Sequence, residues 1–376
     1  MDNRVYAVRL SLALEPGTRC REILSAFDSL RDIFESDLSM LRMSGAFTAK
    51  QIEKIEKSKT QDALNILDIC EKNSWKCVTI EDDEYPEDLR RLDDPPIVLY
   101  VWGDISEINS SLCFAIVGTR EPTPDSVTIA RTISAQLADA GALIVSGCAL
   151  GIDSAAHEGA LLAHGKTVAV LGCGLGTRYL MQNAALRNQI SENGAVISEY
   201  PPFAPASKSS FPIRNRIISG MSKGVLVVEA GEKSGSIVTA RKAISQGRDV
   251  FAVPGNIVTS AYAGANRLIR DGAVAVTCAD DIISEYDSLY PGKLKKSETK
   301  KAIPAAEDKP AFVKKSAAAL DDKEKAVYAQ FEGEPLYPAD IASLTGISLG
   351  EVNTILTSLE IKNYITTAPG GRFSLI

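Results

Sequence analysis

Residues 113–120 read Cys113-Phe114-Ala115-Ile116-Val117-Gly118-Thr119-Arg120, and their pattern indicates the fold class of this chain. Five apolar residues run without interruption and are followed by a glycine and two polar residues. A short, continuous apolar run of this kind is typical of a strand that is buried on both faces of a parallel sheet. The pattern recurs at residues 142–145, 167–171, 195–198, 224–228, 249–253 and 273–276.

Helix-length segments separate these runs, for example residues 126–140 and 236–246. Strands that alternate with helices along the chain build βαβ units, whose crossovers are right-handed. We therefore predict an α/β fold, with an extended, doubly wound parallel sheet that carries helices on both faces. Glycine or polar residues follow nearly every strand, at the carboxyl edge where ligands bind to such sheets.

The segments on either side of this central block differ from it in composition. Residues 1–80 are polar with a helical pattern, which predicts an all-α N-terminal domain. The core then spans residues 81–286. Residues 287–318 combine lysine, alanine and proline without periodicity, and we expect a flexible linker there. Residues 319–376 show helices around a turn and then two short strands, the pattern of a small winged-helix domain.

The second helix of the predicted helix–turn–helix carries little positive charge. It contains Glu351 and Glu360, whereas a helix that reads DNA needs basic side chains for the phosphates. Contact with protein, or simple packing, is therefore favoured over sequence-specific DNA binding for this domain.

Composition excludes several classes of protein. The 376 residues contain 41 Lys+Arg against 48 Asp+Glu, and no apolar run approaches the roughly 20 residues that span a bilayer. The N-terminus lacks a signal-peptide pattern, so we expect a cytoplasmic protein with no membrane contact. The seven cysteines are scattered without a C-x-x-C pair and there are only two histidines, which favours reduced, mostly buried thiols and no metal site.

One basic segment stands out against this acidic background. Residues 200–228 carry Lys208, Arg214, Arg216 and Lys223 and not one acidic residue. Such a segment on an acidic protein indicates a phosphate-bearing ligand, and Phe211, three residues after Lys208, indicates bases to stack. The alternative is a solvated helix face beside a core aromatic. From this segment alone the two interpretations have equal weight.

Other loops at strand ends favour the phosphate interpretation. Gly118-Thr119-Arg120 combines a backbone that a phosphate can approach with a bidentate donor. Ser146-Gly147 and Gly151 lie before a helix start that can receive an anion. Gly235, Ser236 and Thr239 open a further helix with two hydroxyl donors. In a doubly wound sheet the last of these loops and the Arg214 segment flank the same edge.

Three other motifs are set aside. The Gly172-Cys173-Gly174-Leu175-Gly176 stretch has Thr177 where a dinucleotide-binding loop needs its third glycine. Ala160 stands where a P-loop needs its first glycine, upstream of Gly165-Lys166-Thr167. His157 has no evident nucleophile partner and is interpreted as a structural histidine.

Taken together, the motifs of the central block resemble the DNA-processing protein A (DprA, also called Smf) family. The shared motifs are Val117-Gly-Thr-Arg120, Ile144-Val-Ser-Gly147, Gly151-Ile-Asp153 with Ala156-His157, Val170-Leu-Gly172, Ser198-Glu199 with Pro201-Pro202, Phe211-Pro-Ile-Arg-Asn-Arg216, Val228-Glu-Ala230, Ser234-Gly-Ser236 with Thr239-Ala240, and Val250-Phe-Ala-Val-Pro-Gly255. They cover the block nearly end to end.

The resemblance implies a function and an architecture. It implies a single-stranded DNA-binding recombination mediator that protects incoming DNA during natural transformation and helps load the RecA recombinase. It also implies an extended Rossmann-like core, an N-terminal domain of SAM or helix-hairpin-helix type, and a winged-helix C-terminal domain. Such proteins act as homodimers, need no cofactor and are not enzymes.

The resemblance also implies the DNA-binding residues. Arg120 and Lys208 would clamp phosphates, Phe211 would stack a base, and the other positions would line the pocket. The full set is Gly118, Thr119, Arg120, Ser146, Gly147, Gly151, Lys208, Phe211, Arg214, Asn215, Arg216, Gly235, Ser236 and Thr239. The chain departs from the family's usual residues at Thr119, at Gly176 and Leu180, and at Ala265 of Gly264-Ala265-Asn266.

An enzyme is the alternative. Phosphoribohydrolases share a similar sheet and a Gly-Thr-rich phosphate loop, and they need a carboxylate beside that loop. Glu229 ends the fifth strand of the predicted core and is the candidate. We interpret its role instead as capping or bonding of the neighbouring loop.

Overall fold

The computed structural model describes residues 2–295, 320–331, 336–362, 364–368 and 372–375. The chain divides into two compact units, residues 1–300 and residues 301–376. Within the described residues no helix is both long enough and apolar enough to cross a membrane.

A nine-stranded sheet forms the centre of the first unit, in the order β1-β2-β6-β5-β4-β3-β7-β8-β9. The strands from β3 to β9 are parallel, and β1 and β2 extend the sheet antiparallel beyond β6. The strands are β1 (Lys76–Thr79), β2 (Val98–Gly103), β3 (Cys113–Val117), β4 (Leu143–Ser146), β5 (Thr167–Leu171), β6 (Gly194–Ser198), β7 (Gly224–Val227), β8 (Asp249–Ala252) and β9 (Val274–Ala275). The predicted fold class is confirmed.

The strand order reverses at β3. The chain adds β4, β5 and β6 on one side of β3 and then returns to place β7 on its other side. The loops that leave β3 and its neighbours therefore diverge at the carboxyl edge and open a crevice. This is the point where doubly wound sheets bind their ligands.

Helices cover both faces of the sheet. Successive residues of β3 point to opposite sides: Phe114 and Ile116 pack with α8, α9 and α14, whereas Ala115 and Val117 belong to the apolar core on the other face. The helices of this part are α7 (Glu87–Arg90), α8 (Pro124–Asp139), α9 (Ile152–Leu162), α10 (Ala184–Glu192), α11 (Ser210–Gly220), α12 (Gly235–Ser245), α13 (Ala263–Arg270) and α14 (Ala279–Asp287). Short 3₁₀ turns cover Met181–Asn183 and Ser260–Tyr262.

Six short helices precede the sheet and share its apolar core. They are α1 (Asn3–Ala13), α2 (Arg21–Ala26), α3 (Leu30–Glu35), α4 (Leu38–Met43), α5 (Ala49–Lys57) and α6 (Thr60–Lys72). Their buried side chains, such as Val8 and Ile33, form one apolar cluster with residues of the sheet. Strand β1 follows α6 and was missed by the sequence analysis, because four residues next to a helix carry little periodicity. The boundary at residues 80/81 stays a prediction.

The second unit contains α15 (Asp322–Ala329), α16 (Pro338–Thr345), α17 (Leu349–Ile361), β10 (Ile365–Ala368) and β11 (Arg372–Leu375). The two strands pair antiparallel, as a wing does, and the predicted winged-helix architecture is confirmed. Buried Glu324 of α15 accepts hydrogen bonds from Ser358 Oγ and Lys362 Nζ and ties α15 to the end of α17. Most of the predicted linker, from residue 296 onward, lies outside the described residues.

Candidate nucleic-acid interface

A cleft of about 340 Å³ opens at the point where the strand order reverses. Its walls come from the loop after β3, the start of α11 and the start of α12. The cleft brings together nine of the fourteen residues predicted for DNA binding: Gly118, Thr119, Arg120, Phe211, Arg214, Asn215, Gly235, Ser236 and Thr239.

Arg120 and Phe211 meet at the mouth of this cleft. Arg120 is exposed, and Cζ of its guanidinium lies 5.2 Å from the centroid of the Phe211 ring. Among the described residues no carboxylate lies within 4 Å of Arg120, so its charge is available to a ligand. The Phe211 ring is half-buried and rests beside Tyr179, with 5.4 Å between the two ring centroids.

Glycines allow the Phe211 ring and the β3 loop to pack closely. A Cβ at Gly172 would lie 3.0 Å from Cδ1 of Phe211, tighter than most such contacts. A Cβ at Gly151 would lie 2.5 Å from the carbonyl oxygen of Thr119, and the backbone φ of Gly151 is +83°. Gly151 is not among the residues that line the cleft. It holds the β3 loop against the start of α9, where Ile152 N donates to Thr119 O.

Arg214 lies beneath the cleft and only 5% of its surface is exposed. Its guanidinium donates to the carbonyl of Gly147, just after β4, and to the carbonyl of Val170, in β5. Asp153 lies nearby in α9. Burial raises the pKa of the Asp153 carboxyl and lowers the pKa of Arg214, and the opposite charge of each partner counteracts both shifts. The arrangement fixes the loops under the cleft.

The start of α12 forms the opposite wall. Ser234 caps this helix, and its hydroxyl oxygen lies 2.8 Å from that of Ser236. Gly235 is exposed, and no heavy atom lies within 4 Å of the place where its Cβ would be. Ser234 accepts hydrogen bonds from Ser236 N and Ile237 N, so it is the backbone N–H of Gly235 that is accessible to an anion, and the helix dipole favours negative charge there.

Four predicted site residues lie outside the cleft lining, in addition to Gly151. Ser146 is fully buried, and its hydroxyl donates to Ile116 O at 2.6 Å. Gly147 lies in the adjoining floor. Lys208 is exposed in the turn before α11, three residues from Phe211.

Arg216 does not line the cleft, contrary to the sequence-based expectation. It is 2% exposed and donates to Glu199 Oε1 and to the carbonyl of Asp94. Residues two apart on a helix face different directions, so α11 turns Arg214 towards the cleft floor and Arg216 away from it. The residue type alone did not distinguish these two arginines.

Three further residues have structural roles. Glu229 is 2% exposed, and its Oε2 accepts from the backbone N–H and the hydroxyl of Thr123. This confirms its interpretation as a bond to the neighbouring loop. His157 is fully buried against Thr167, as expected of a structural histidine. Asn266 exchanges two hydrogen bonds with the backbone of Gly255.

Tyr179 is a neighbour of Phe211 that was not among the predicted site residues. Tyr179 follows β5 in a loop held by the buried Arg187, which donates to the carbonyls of Tyr179 and Leu180. Leu180 has a backbone φ of +49°, which this bonding helps to hold. An aromatic residue in a loop at the carboxyl edge was the only signal that could have indicated this position.

Two family models match this chain, one over the central block and one over the C-terminal domain. Residues 76–287 match the family described as DNA recombination-mediator protein A, and residues 312–371 match the DprA winged helix domain. The chain is 39% identical over 208 residues to the DNA processing protein DprA of Bacillus subtilis (strain 168), which covers 55% of this chain and 70% of that protein. It is 34% identical over 337 residues to protein Smf of Escherichia coli (strain K12), covering 89% and 86%.

Two solved structures are similar to this one. DprA from Streptococcus pneumoniae superposes with a TM-score of 0.65 at 32% identity, covering 76% of this chain and 98% of that one. DNA processing protein A from Helicobacter pylori, studied for its mode of binding single-stranded DNA, gives a TM-score of 0.52 at 34% identity, covering 57% and 97%. With more than half of its length matched by one family, the chain belongs to the DNA recombination-mediator protein A family, which includes the DprA and Smf proteins.

Proposed function

We propose that this protein binds single-stranded DNA in the cleft at the switch point of its sheet. The observation that carries the proposal is the position of Arg120 over Phe211 at the mouth of that cleft. A cation without a carboxylate partner beside an aromatic ring is the pair of groups that an unpaired nucleotide needs. The DNA-binding mode studied in the Helicobacter pylori relative supports the same ligand.

Each wall of the cleft has a distinct role in this proposal. A base that stacks on Phe211 displaces the guanidinium of Arg120, which then pairs with a phosphate. Lys208 adds a second cation just before α11. The backbone N–H of exposed Gly235, at the start of α12, donates to another phosphate oxygen. Because the bases of a duplex are already stacked on each other, only an unpaired strand can place a base on the Phe211 ring. Every base has a π face, so binding is largely independent of sequence.

Fluorescence anisotropy of single- and double-stranded oligonucleotides over a salt titration tests this proposal. We expect a preference for the single strand, with log affinity falling by about 0.7 per decade of salt for each phosphate neutralised. Binding that is insensitive to salt and to the combined Arg120→Ala and Lys208→Ala changes would refute it.

In the cell, we propose that this binding makes the protein a recombination mediator. It would protect incoming single-stranded DNA during natural transformation, in the cytoplasm, and load RecA on it. The membership of the DprA and Smf family supports this assignment. The test is RecA nucleation on an oligonucleotide precoated with single-strand-binding protein, with and without this protein. Equal nucleation rates would contradict it.

A homodimer is part of the proposal. Ile257 and Val258 are 90% and 89% exposed in the loop after β8, and two adjacent apolar residues in water favour burial against a second copy. Light scattering of the purified chain measures the mass directly. Changing both residues to Glu should shift a dimer to a monomer, whereas an unchanged mass would place the contact elsewhere.

We propose no catalytic role for this site. Glu229, the candidate carboxylate of a phosphoribohydrolase, is buried and bonded to Thr123. Release of a free base from nucleoside monophosphates that is abolished by Glu229→Gln would overturn this view.

A further inference from the structure

A second aromatic ring is exposed at the same edge of the sheet, outside the cleft. Phe203 lies in the loop after β6, and 58% of its surface is accessible to solvent. The other aromatic rings in the described residues of this unit are buried or half-buried. An exposed aromatic ring beside a binding cleft suggests a contact with the ligand.

The Phe203 ring is held in place by a close approach to Gly176. A Cβ at Gly176 would lie 2.3 Å from Cε1 of Phe203, so only glycine permits this contact. The two loops are joined by backbone hydrogen bonds, from Gly176 N to Pro202 O at 2.7 Å and from Gly174 N to Ala204 O at 2.9 Å. One part of the ring is therefore packed against the backbone at Gly176, while the rest faces solvent.

The surroundings of Phe203 suit a polyanion. Arg178 lies in the same loop as Gly176, is exposed, and has no carboxylate within 4 Å among the described residues. Lys208, also exposed and without such a partner, belongs to the same loop as Phe203. An exposed aromatic ring whose own loop and adjoining loop each carry a free cation fits a nucleotide better than it fits an apolar protein surface.

The loop that carries Gly176 also connects Phe203 to the cleft. Tyr179 lies three residues beyond Gly176 and contacts Phe211, which in turn contacts Arg120. The loops follow β5 and β6, which pair in parallel and so end at one edge. Aromatic and cationic groups thus continue from the cleft along the carboxyl edge of the sheet.

We infer that Phe203 and Arg178 form a second subsite for single-stranded DNA, in which Phe203 stacks a base and Arg178 contacts a phosphate. This inference rests on the proposed function and extends the path of the strand beyond the cleft. A strand long enough to reach both rings gains a contact that a very short strand lacks.

Affinities for two lengths of oligothymidylate test the inference. Lengths of about 4 and about 16 nucleotides bracket the site sizes of single-strand-binding domains. We expect Phe203→Ala to weaken binding of the longer strand by about tenfold, the effect of losing one stacked base, and to leave the shorter strand unaffected. Because Phe203 is exposed, the melting temperature should change little.

A fluorescence reporter gives a second measurement on the full chain. In Phe203→Trp, we expect the added indole fluorescence to be quenched when the longer strand stacks on it. The matched control is Leu162→Trp, since Leu162 is 59% exposed but lies at the end of α9, towards the opposite edge of the sheet. Quenching at Phe203→Trp and not at Leu162→Trp supports the subsite.

The outcomes separate this inference from the proposed function. If the unchanged protein binds neither strand, the proposed function fails. If it binds both and Phe211→Ala weakens both, while Phe203→Ala changes neither and Phe203→Trp is not quenched, the second subsite is refuted and the function stands. An equal loss on both lengths in Phe203→Ala would also refute a separate subsite.

Discussion

The guanidinium of Arg120 lies over the ring of Phe211, 5.2 Å from its centroid. One residue comes from the loop after β3 and the other from the first turn of α11, and they meet because the strand order reverses between β4 and β7. The cation and the ring are therefore assembled before any ligand arrives. A base that stacks on Phe211 has to displace the guanidinium from the ring, and the displaced cation stays beside the same nucleotide to pair with its phosphate.

Arg120→Ala should weaken binding of single-stranded DNA by about 1–2 kcal/mol at low salt, because one charge-assisted contact is lost. The slope of log affinity against log salt concentration should also become less steep by about 0.7, because one phosphate contact fewer is made. Anisotropy at several salt concentrations measures both quantities. Arg31→Ala is the control, since Arg31 is an exposed arginine paired with Glu35 in α3. A similar loss in both variants would argue against a specific role for Arg120.

Phe211→Ala should weaken binding by about 1–3 kcal/mol through the loss of one stacked base. The slope against salt should stay the same, because the ring carries no charge. Phe211→Tyr retains a π face and should bind nearly as well as the unchanged protein. A changed slope in Phe211→Ala, or an equal loss in Phe211→Tyr, would contradict stacking as the role of this ring.

Arg216→Met should act on stability rather than on the cleft. The change leaves Glu199 charged and buried without its partner, which costs about 3–5 kcal/mol of unfolding free energy. Urea denaturation measures this loss. Adding Glu199→Gln should restore part of the stability, and Lys72→Ala, which breaks an exposed pair with Asp68, should change it little. If Arg216→Met kept the unfolding free energy of the unchanged protein but lost DNA binding, the assignment of Arg216 to a buried, stabilising ion pair would be wrong.

His157 should make the folded state sensitive to acid. Thr167 Oγ1 donates to Ile144 O, so His157 Nδ1 must donate to Thr167, and buried Nε2 has no hydrogen-bond partner within the described residues. Burial therefore lowers the pKa of His157 from 6.5 to about 3. The unfolded chain binds a proton below pH 6.5 and the folded chain does not, so acid favours the unfolded state.

The expected size of this effect is about 1.4 kcal/mol of unfolding free energy lost per pH unit, from pH 6.5 down towards pH 3. Urea denaturation at several pH values should show that slope. His157→Asn keeps a hydrogen-bond donor for Thr167 but has no group that titrates, so the part of the pH slope that comes from His157 should disappear in this variant. If the slope in the variant were unchanged between pH 6.5 and pH 5, His157 would not be its source.

Most of the sheet could be predicted from the sequence, because buried parallel strands are continuous apolar runs. The run at residues 224–228 became β7 (Gly224–Val227), and the run at residues 273–276 became the two-residue strand β9 (Val274–Ala275). β1 was missed because it lies at the edge of the sheet directly after α6, and its four residues are too few to show a strand periodicity.

The candidate site was predictable only as a set of loops. Parallel strands end at one edge, so glycine and polar residues after β3 and β7 could be assigned to one cleft. Which side chains enter it could not be predicted. Arg214 and Arg216 are both basic residues of α11. Only their packing shows that Arg214 lies in the floor of the cleft, whereas Arg216 forms a buried ion pair with Glu199.

The α/β class, the order of the core strands from β3 onward and the sheet edge that carries the candidate site could all be predicted from the sequence, since these depend on local periodicity and on chain connectivity. The contact of Arg120 with Phe211, the turning of Arg216 away from the cleft and the exposure of Phe203 beside Gly176 were known only from the three-dimensional packing. Those outcomes depend on close contacts between residues far apart in the chain, which no local pattern records.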